Sequence, residues 1–130
     1  MNYDEFMRVF QDCELDGNKI VIKSNLHELI KFVHENYTYD MLKEIIAVDT
    51  KDGKTELLYH LYSTGDEEDL FISISVKDEA ESVVDIFKSA QADENEIFDL
   101  FGVKFLGNKD LKRLYMPEDW KGFPLRKDYV

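Results

Sequence analysis

Residues 42–76 read LKEIIAVDTKDGKTELLYHLYSTGDEEDLFISISV, and three strands follow from this stretch alone. Residues 42–49 carry Ile45, Ile46 and Val48, and residues 55–62 carry Leu57, Leu58, Tyr59, Leu61 and Tyr62. Between them stands Asp52-Gly53, a dipeptide whose backbone tolerates the positive φ that a tight hairpin demands. After a second turn around Gly65, Leu70, Ile72, Ile74 and Val76 alternate with Phe71, Ser73 and Ser75. That period of two marks a strand with one buried face. The three strands are expected to form an antiparallel meander.

The flanking segments supply helices to cover it. Upstream, Tyr3, Phe6, Met7 and Phe10 have the spacing of one helical face, predicting a first helix over residues 3–13 that includes Cys13. Asp16-Gly17-Asn18 reads as a turn, and the β-branched run at residues 19–23 as a strand. Ser24 and Asn25 are placed to cap a second helix, to about residue 36, along which Leu26, Leu29, Ile30 and Val33 form the apolar stripe. Downstream, Asp78 and Glu81 have capping-box spacing and Ala80, Val83, Val84 and Phe87 have the spacing of one helical face, predicting a third helix that ends near residue 90. Asp93 and Glu96 repeat that spacing before Ile97, Leu100 and Phe101, and Gly102 is placed to stop this fourth, short helix. The order αβαβββαα predicts an α+β two-layer sandwich, with helices on a mainly antiparallel four-stranded sheet. Residues 1–103 make the α+β unit, and residues 104–130 an extended, irregular C-terminal tail of the same single domain.

Composition narrows the function. The chain has 130 residues, 44% of them hydrophobic, which suits one core, and its 9 Phe, 7 Tyr and 1 Trp argue for a folded chain. No apolar run reaches the ~18 residues of a membrane span and no basic region precedes an apolar stretch at the N-terminus, so a soluble, unsecreted protein is expected. The net charge of −12 disfavours nucleic-acid backbones. It is unevenly distributed: residues 1–103 carry 9 basic and 24 acidic side chains, residues 104–130 carry 7 and 4. An acidic body and a basic tail suggest two surfaces with different tasks.

Candidate chemistry is sparse. A lone cysteine forms no internal disulfide and no Cys-rich metal or iron–sulfur site, and acidic Asp12 and Glu14 disfavour a Cys13 thiolate. His27 and His34 stand seven apart, too far for one metal, and His60 lies mid-strand on the face of Leu58 and Tyr62. Residues 49–53 fail the calcium-loop pattern, because Lys51 takes a ligand position and Gly53 comes one place early. Asp66-Glu67-Glu68-Asp69 reads as a solvated loop tip. No phosphate-binding glycine loop, nucleophile elbow or His-Glu-x-x-His motif occurs, so no intrinsic active site, metal or cofactor is expected.

The tail is different. Leu111, Leu114, Tyr115, Met116, Trp120, Phe123 and Leu125 interleave with Lys112, Arg113, Lys121, Arg126 and Lys127. Pro117 and Pro124 stiffen the segment, Gly122 permits a turn, and Trp and Arg are the residue types enriched at interface hot spots. Two readings fit the residues: a docking element for a partner, or a strap laid across the chain's own domain.

The tail and the helix before it resemble a known family. The pattern E-R-E-x-x-D-[LMF]-[FY]-G-[IV]-x-F, then H-P-x-L-x-R, then P-E-[DE]-W-x-G-x-P-L-R-K-D-Y is visible as ENEIFDLFGVKF, NKDLKR and PEDWKGFPLRKDY, within residues 94–129. This is similar to the 30 kDa subunit family of respiratory NADH dehydrogenases and related energy-converting hydrogenases. Asn95 stands at the usual arginine, Asn108-Lys109 replaces His-Pro, and Ala92 sits at a frequent tryptophan. The chain ends just after Lys127-Asp128-Tyr129, a shortness that resembles the hydrogenase-type members. The resemblance implies a subunit with no cofactor of its own. It would pack against a large catalytic subunit and a small iron–sulfur subunit at the cytoplasmic, inner face of the membrane, without inserting into it. Glu96, Asp99 and Gly102 would shape the turn after the fourth helix. Together with these three, Arg113, Pro117, Trp120, Gly122, Pro124, Arg126, Lys127 and Asp128 would form the partner-binding set. The alternative is a free-standing acidic regulatory or ligand-binding domain that keeps the signature.

Overall fold

The computed structural model describes Arg8, Phe10, residues 13–50 and 52–113, Gly122 and Leu125. Among these, five strands form one sheet: β1 (Cys13–Asp16), β2 (Lys19–Ile22), β3 (Met41–Asp49), β4 (Thr55–Ser63) and β5 (Glu68–Val76). Their order is β1-β2-β5-β4-β3. The meander read from residues 42–76 is present, with β3/β4 and β4/β5 antiparallel. Gly53 turns the first hairpin at φ 81°, where a side chain would be strained. β2 enters beside β5 and runs parallel to it, so the sheet is mixed but mainly antiparallel.

Leu57, Tyr59 and Leu61 of β4, Leu70, Ile72 and Ile74 of β5, and Ile20 and Ile22 of β2 are all buried, every second residue along each strand. The helix α1 (Leu26–Asn36) sinks Leu26, Leu29, Ile30 and Val33 into the same core. The opposite face of the sheet carries His60, stacked on Phe71 at 4.4 Å, and leaves Ile46 and Val48 40% and 50% exposed. The result is the expected α+β two-layer arrangement.

Several local expectations are corrected. Cys13 is not helical; it opens β1, is buried, and its thiol lies 2.8 Å from the Phe10 carbonyl. The sheet therefore has five strands rather than four. Asn25 does precede α1, yet in a left-handed conformation with no side-chain cap. The predicted third helix is absent. Residues Glu79–Glu81 form β6, paired in parallel with β7 (Lys104–Leu106) inside the segment read as irregular. The apolar spacing that suggested a helix survives as a single turn, in which the Ile86 and Phe87 amides donate to the Val83 carbonyl. Helix α2 (Ala90–Phe101) begins three residues before Asp93. Neither capping box forms: Glu81 faces the His27 amide at 3.5 Å, and Asp93 accepts the Ile45 amide at 3.2 Å. This second contact falls beside the irregularity between Leu42 and Glu44 in the edge strand β3, where the Ser89 hydroxyl also donates to the Leu42 carbonyl. The start of α2 thus satisfies part of the β3 edge of the sheet.

A buried polar face on α2 that holds the C-terminal strap

Helix α2 presents two stripes to the protein. Ala90, Glu94, Ile97 and Phe101 are buried at helical spacing, with a carboxylate in an otherwise apolar row. Gln91, Asn95 and Asp99, four apart, form a polar row beside it, and Asn95 and Asp99 are buried as well. Every buried polar group needs partners, and these take theirs from the chain on both sides of the helix as well as from α2 itself.

Glu94 is fully buried and binds two separate segments, one before the helix and one after it. It accepts from the Ser82 hydroxyl at 2.7 Å, the Val83 amide at 3.0 Å and the Asn108 side-chain amide at 2.9 Å. Asn95 Oδ1 accepts from Gln91 Nε2 at 3.1 Å and from the Lys112 backbone amide at 3.0 Å. At the next turn Arg113 Nε donates to Asp99 Oδ1 at 2.6 Å, the two side chains being 8% and 0% exposed. Arg113 Nη2 donates to the Asp99 carbonyl at 2.8 Å and to the Gly122 carbonyl at 2.9 Å.

The end of α2 is closed by the same chain. Gly102 takes the left-handed conformation expected of a helix stop, at φ 77°, and its amide donates to the Phe98 carbonyl. The Leu125 amide donates to the Leu100 carbonyl at 2.9 Å. Carbonyls of the last helical turn, which have no partner inside the helix, are therefore met by Gly102, Arg113 and Leu125.

Of the residues singled out from sequence, Asp99, Gly102, Arg113 and Gly122 converge on this helix end. Glu96 does not; it is exposed on the outer side of α2. Pro117, Trp120, Pro124, Arg126, Lys127 and Asp128 lie outside the described residues. Glu94, Asn95, Asn108 and Ser82 were missed, although an acid at the i+4 position of an apolar stripe was a visible signal. The two departures Asn95 and Asn108 both have definite work, each holding part of residues 108–112 to α2.

Burial raises the Glu94 carboxyl above its ordinary 4.5, with Asp85 adding to the rise and the three hydrogen bonds opposing it. Asp93 is raised as well, first by burial and then by Glu96 and Glu44, against the Ile45 amide bond. Burial next to Glu94 and Glu81 also lifts the Tyr59 phenol. A carboxyl that holds its proton more tightly when folded supports the fold fully below its unfolded value, and that support disappears as pH rises through the folded value. Wild type should therefore lose stability relative to Glu94→Gln as pH is raised from 4.5. Urea unfolding of both proteins across that range checks it, and a difference independent of pH would contradict the assignment.

No group of three or more His, Cys, Asp or Glu side chains among the described residues could hold a metal. His60, for example, meets Asp69 at 2.7 Å with Glu44 at 3.9 Å on its other side. None of the described helices is long and apolar enough to cross a membrane.

The arrangement defines a class: an α+β domain in which the helix α2 uses a buried polar face to hold residues 108–113 and, through Arg113 and its own last carbonyls, Gly122 and Leu125. Residues 20–130 match the family described as "Respiratory-chain NADH dehydrogenase, 30 Kd subunit". The chain belongs to that family. It is 34% identical over 134 residues to the C subunit of the NADH-quinone oxidoreductase of Moorella thermoacetica, covering 96% of this chain and 90% of that protein. It is 37% identical over 116 residues to the corresponding protein of Geotalea uraniireducens, covering 85% and 70%. It is 35% identical over 108 residues to the C/D subunit of the NADH-quinone oxidoreductase of Phocaeicola vulgatus, where the match spans only 21% of the longer protein. A solved structure of the membrane-bound sulfane sulfur reductase, an archaeal respiratory membrane complex, superposes with a TM-score of 0.84, covering 98% of this chain and 83% of that one. At 22% identity that likeness is one of fold.

Proposed function

We propose that the protein is a cofactor-free structural subunit of a membrane-associated oxidoreductase complex, of the NADH dehydrogenase or energy-converting hydrogenase type. It docks on the large catalytic subunit and the small iron–sulfur subunit at the cytoplasmic face of the membrane. The observation that carries this reading is family membership across residues 20–130, which includes the whole signature helix and tail. Respiratory complexes are named for relatives on both the sequence and the fold side, and a subunit of such a complex needs neighbours. The charge pattern supports it too: a basic, aromatic tail on an acidic body has the composition of an interface rather than of a solvated end.

In this reading Asp99, Gly102, Arg113 and Gly122 form the base of the docking element. Trp120, Arg126, Lys127 and Asp128 grip the partners, with Pro117 and Pro124 limiting the chain's freedom. Arginine suits bidentate pairing with partner carboxylates, and tryptophan suits a desolvated pocket.

Co-expression with the large and small subunits from the same organism tests the proposal. The tagged chain should bring both down, and its tail should become resistant to protease only in their presence. The purified chain alone should be colourless. Failure to co-purify, with tail cleavage unchanged, would favour the stand-alone regulatory or ligand-binding reading.

A further inference from the structure

Arg113 has the composition of a partner-binding residue, yet its guanidinium is committed inside the chain. One fork bridges the Asp99 carboxylate, the Asp99 carbonyl and the Gly122 carbonyl, and the two side chains are almost wholly buried. Gly122 lies nine residues further along the sequence and beyond Trp120, so the contact joins Arg113 to a point past that residue. Leu125 adds a second fastening, from its amide to the Leu100 carbonyl, one residue before Arg126. Lys112 supplies a third through Asn95. All three fastenings end on the last two turns of α2.

We infer that the Asp99–Arg113 pair is a latch that fastens the C-terminal segment to the end of α2 before any partner is bound. Asp99 and Arg113 are then positioning residues for docking, and the residues that touch the partner are their neighbours in sequence. The physical case rests on geometry and cost. A charge-assisted, multiply bonded arginine is among the stronger polar contacts available, and separating a buried pair strands a charge without solvent. A free tail would expose both that charge and the open carbonyls of α2. Ordering the segment in advance removes the entropic cost that binding would otherwise carry, and only the latched fraction of molecules is competent to dock.

The docking role rests on the function proposed above, whereas the latch itself is measurable in the chain alone. Amide hydrogen exchange of the full-length protein, resolved by residue, should show Leu125 and Lys112 protected without partners. Arg113→Lys keeps the charge but replaces the planar fork, whose Nε and Nη2 reach separate acceptors, by a single point donor. Exchange at both amides should speed up by on the order of tenfold or more, with the sheet amide of Ile72 unchanged. Asp99→Asn should act in the same direction, and the double variant should add little, as expected for groups that act as one unit. Affinity for the co-expressed large and small subunits should fall by the same factor as the latched population. Exchange of Leu125 at the rate of an unstructured peptide in the wild-type chain would overturn the latch. So would a variant that loses protection yet binds as wild type, since the pair would then not be positioning anything. Protected Leu125 in a wild-type chain that binds neither subunit would overturn the docking reading while upholding the latch.

Discussion

Glu94→Ala is expected to lower the unfolding free energy by about 2–4 kcal/mol, a drop in Tm on the order of 10 °C. The carboxylate ties β6's exit, through Ser82 and Val83, to the strap at Asn108, and it does so from a position with no exposure. Alanine leaves the Val83 amide and the Asn108 side chain facing a small apolar gap. Each buried donor without an acceptor costs about 1–3 kcal/mol. Relief of the carboxylate's own burial offsets part of this, as the raised Glu94 pKa requires. Thermal and urea unfolding at neutral pH measure the result. A loss below about 0.5 kcal/mol, the scale of an ordinary surface change, would mean that Glu94 does not hold these segments together.

Trp120→Glu carries the largest expected effect on assembly. A central interface tryptophan contributes about 2–4 kcal/mol by truncation, roughly 30- to 1000-fold in affinity, and a carboxylate forced into the same pocket adds its desolvation. Co-purification with the large and small subunits should be lost. The isolated variant should melt within a degree or two of wild type, because in this reading Trp120 faces a partner. A large fall in Tm with the isolated protein would instead make Trp120 part of the chain's own packing, the strap alternative for the tail. The contacts of Arg113 and Leu125 with α2, and of Gly122 with Arg113, already give that alternative a share, since they fasten part of the strap to its own domain. Fastening and docking are compatible: the first holds the segment, the second uses it.

The contacts around the end of α2 were legible only as far as residue type allowed. Gly102 was readable as a helix stop because a glycine after an apolar stripe has few other uses, and it adopts that conformation. Arg113 was readable as a strong hydrogen-bonding residue but not as an internal one, because nothing in its local sequence indicates that Asp99 lies beside it. Glu94 and Asn108 were harder still. Fourteen positions separate them, and their contact depends on the strap folding back over α2.

For the fold, period and turn chemistry were sufficient wherever the decisive interaction was local. Alternation in residues 55–76, the Asp52-Gly53 turn and the stripe of α1 each report a face within one segment, and each is present as read. Tertiary structure alone decided residues 79–106. There the helix-like spacing of Ala80, Val83, Val84 and Phe87 gave way to a strand, because β6 finds its hydrogen-bond partners in β7, beyond an intervening helix. Tertiary structure likewise decided what the polar face of α2 is for. A buried acid and a buried arginine are stable only when specific partners arrive from elsewhere in the chain, and their arrival is a property of the whole fold.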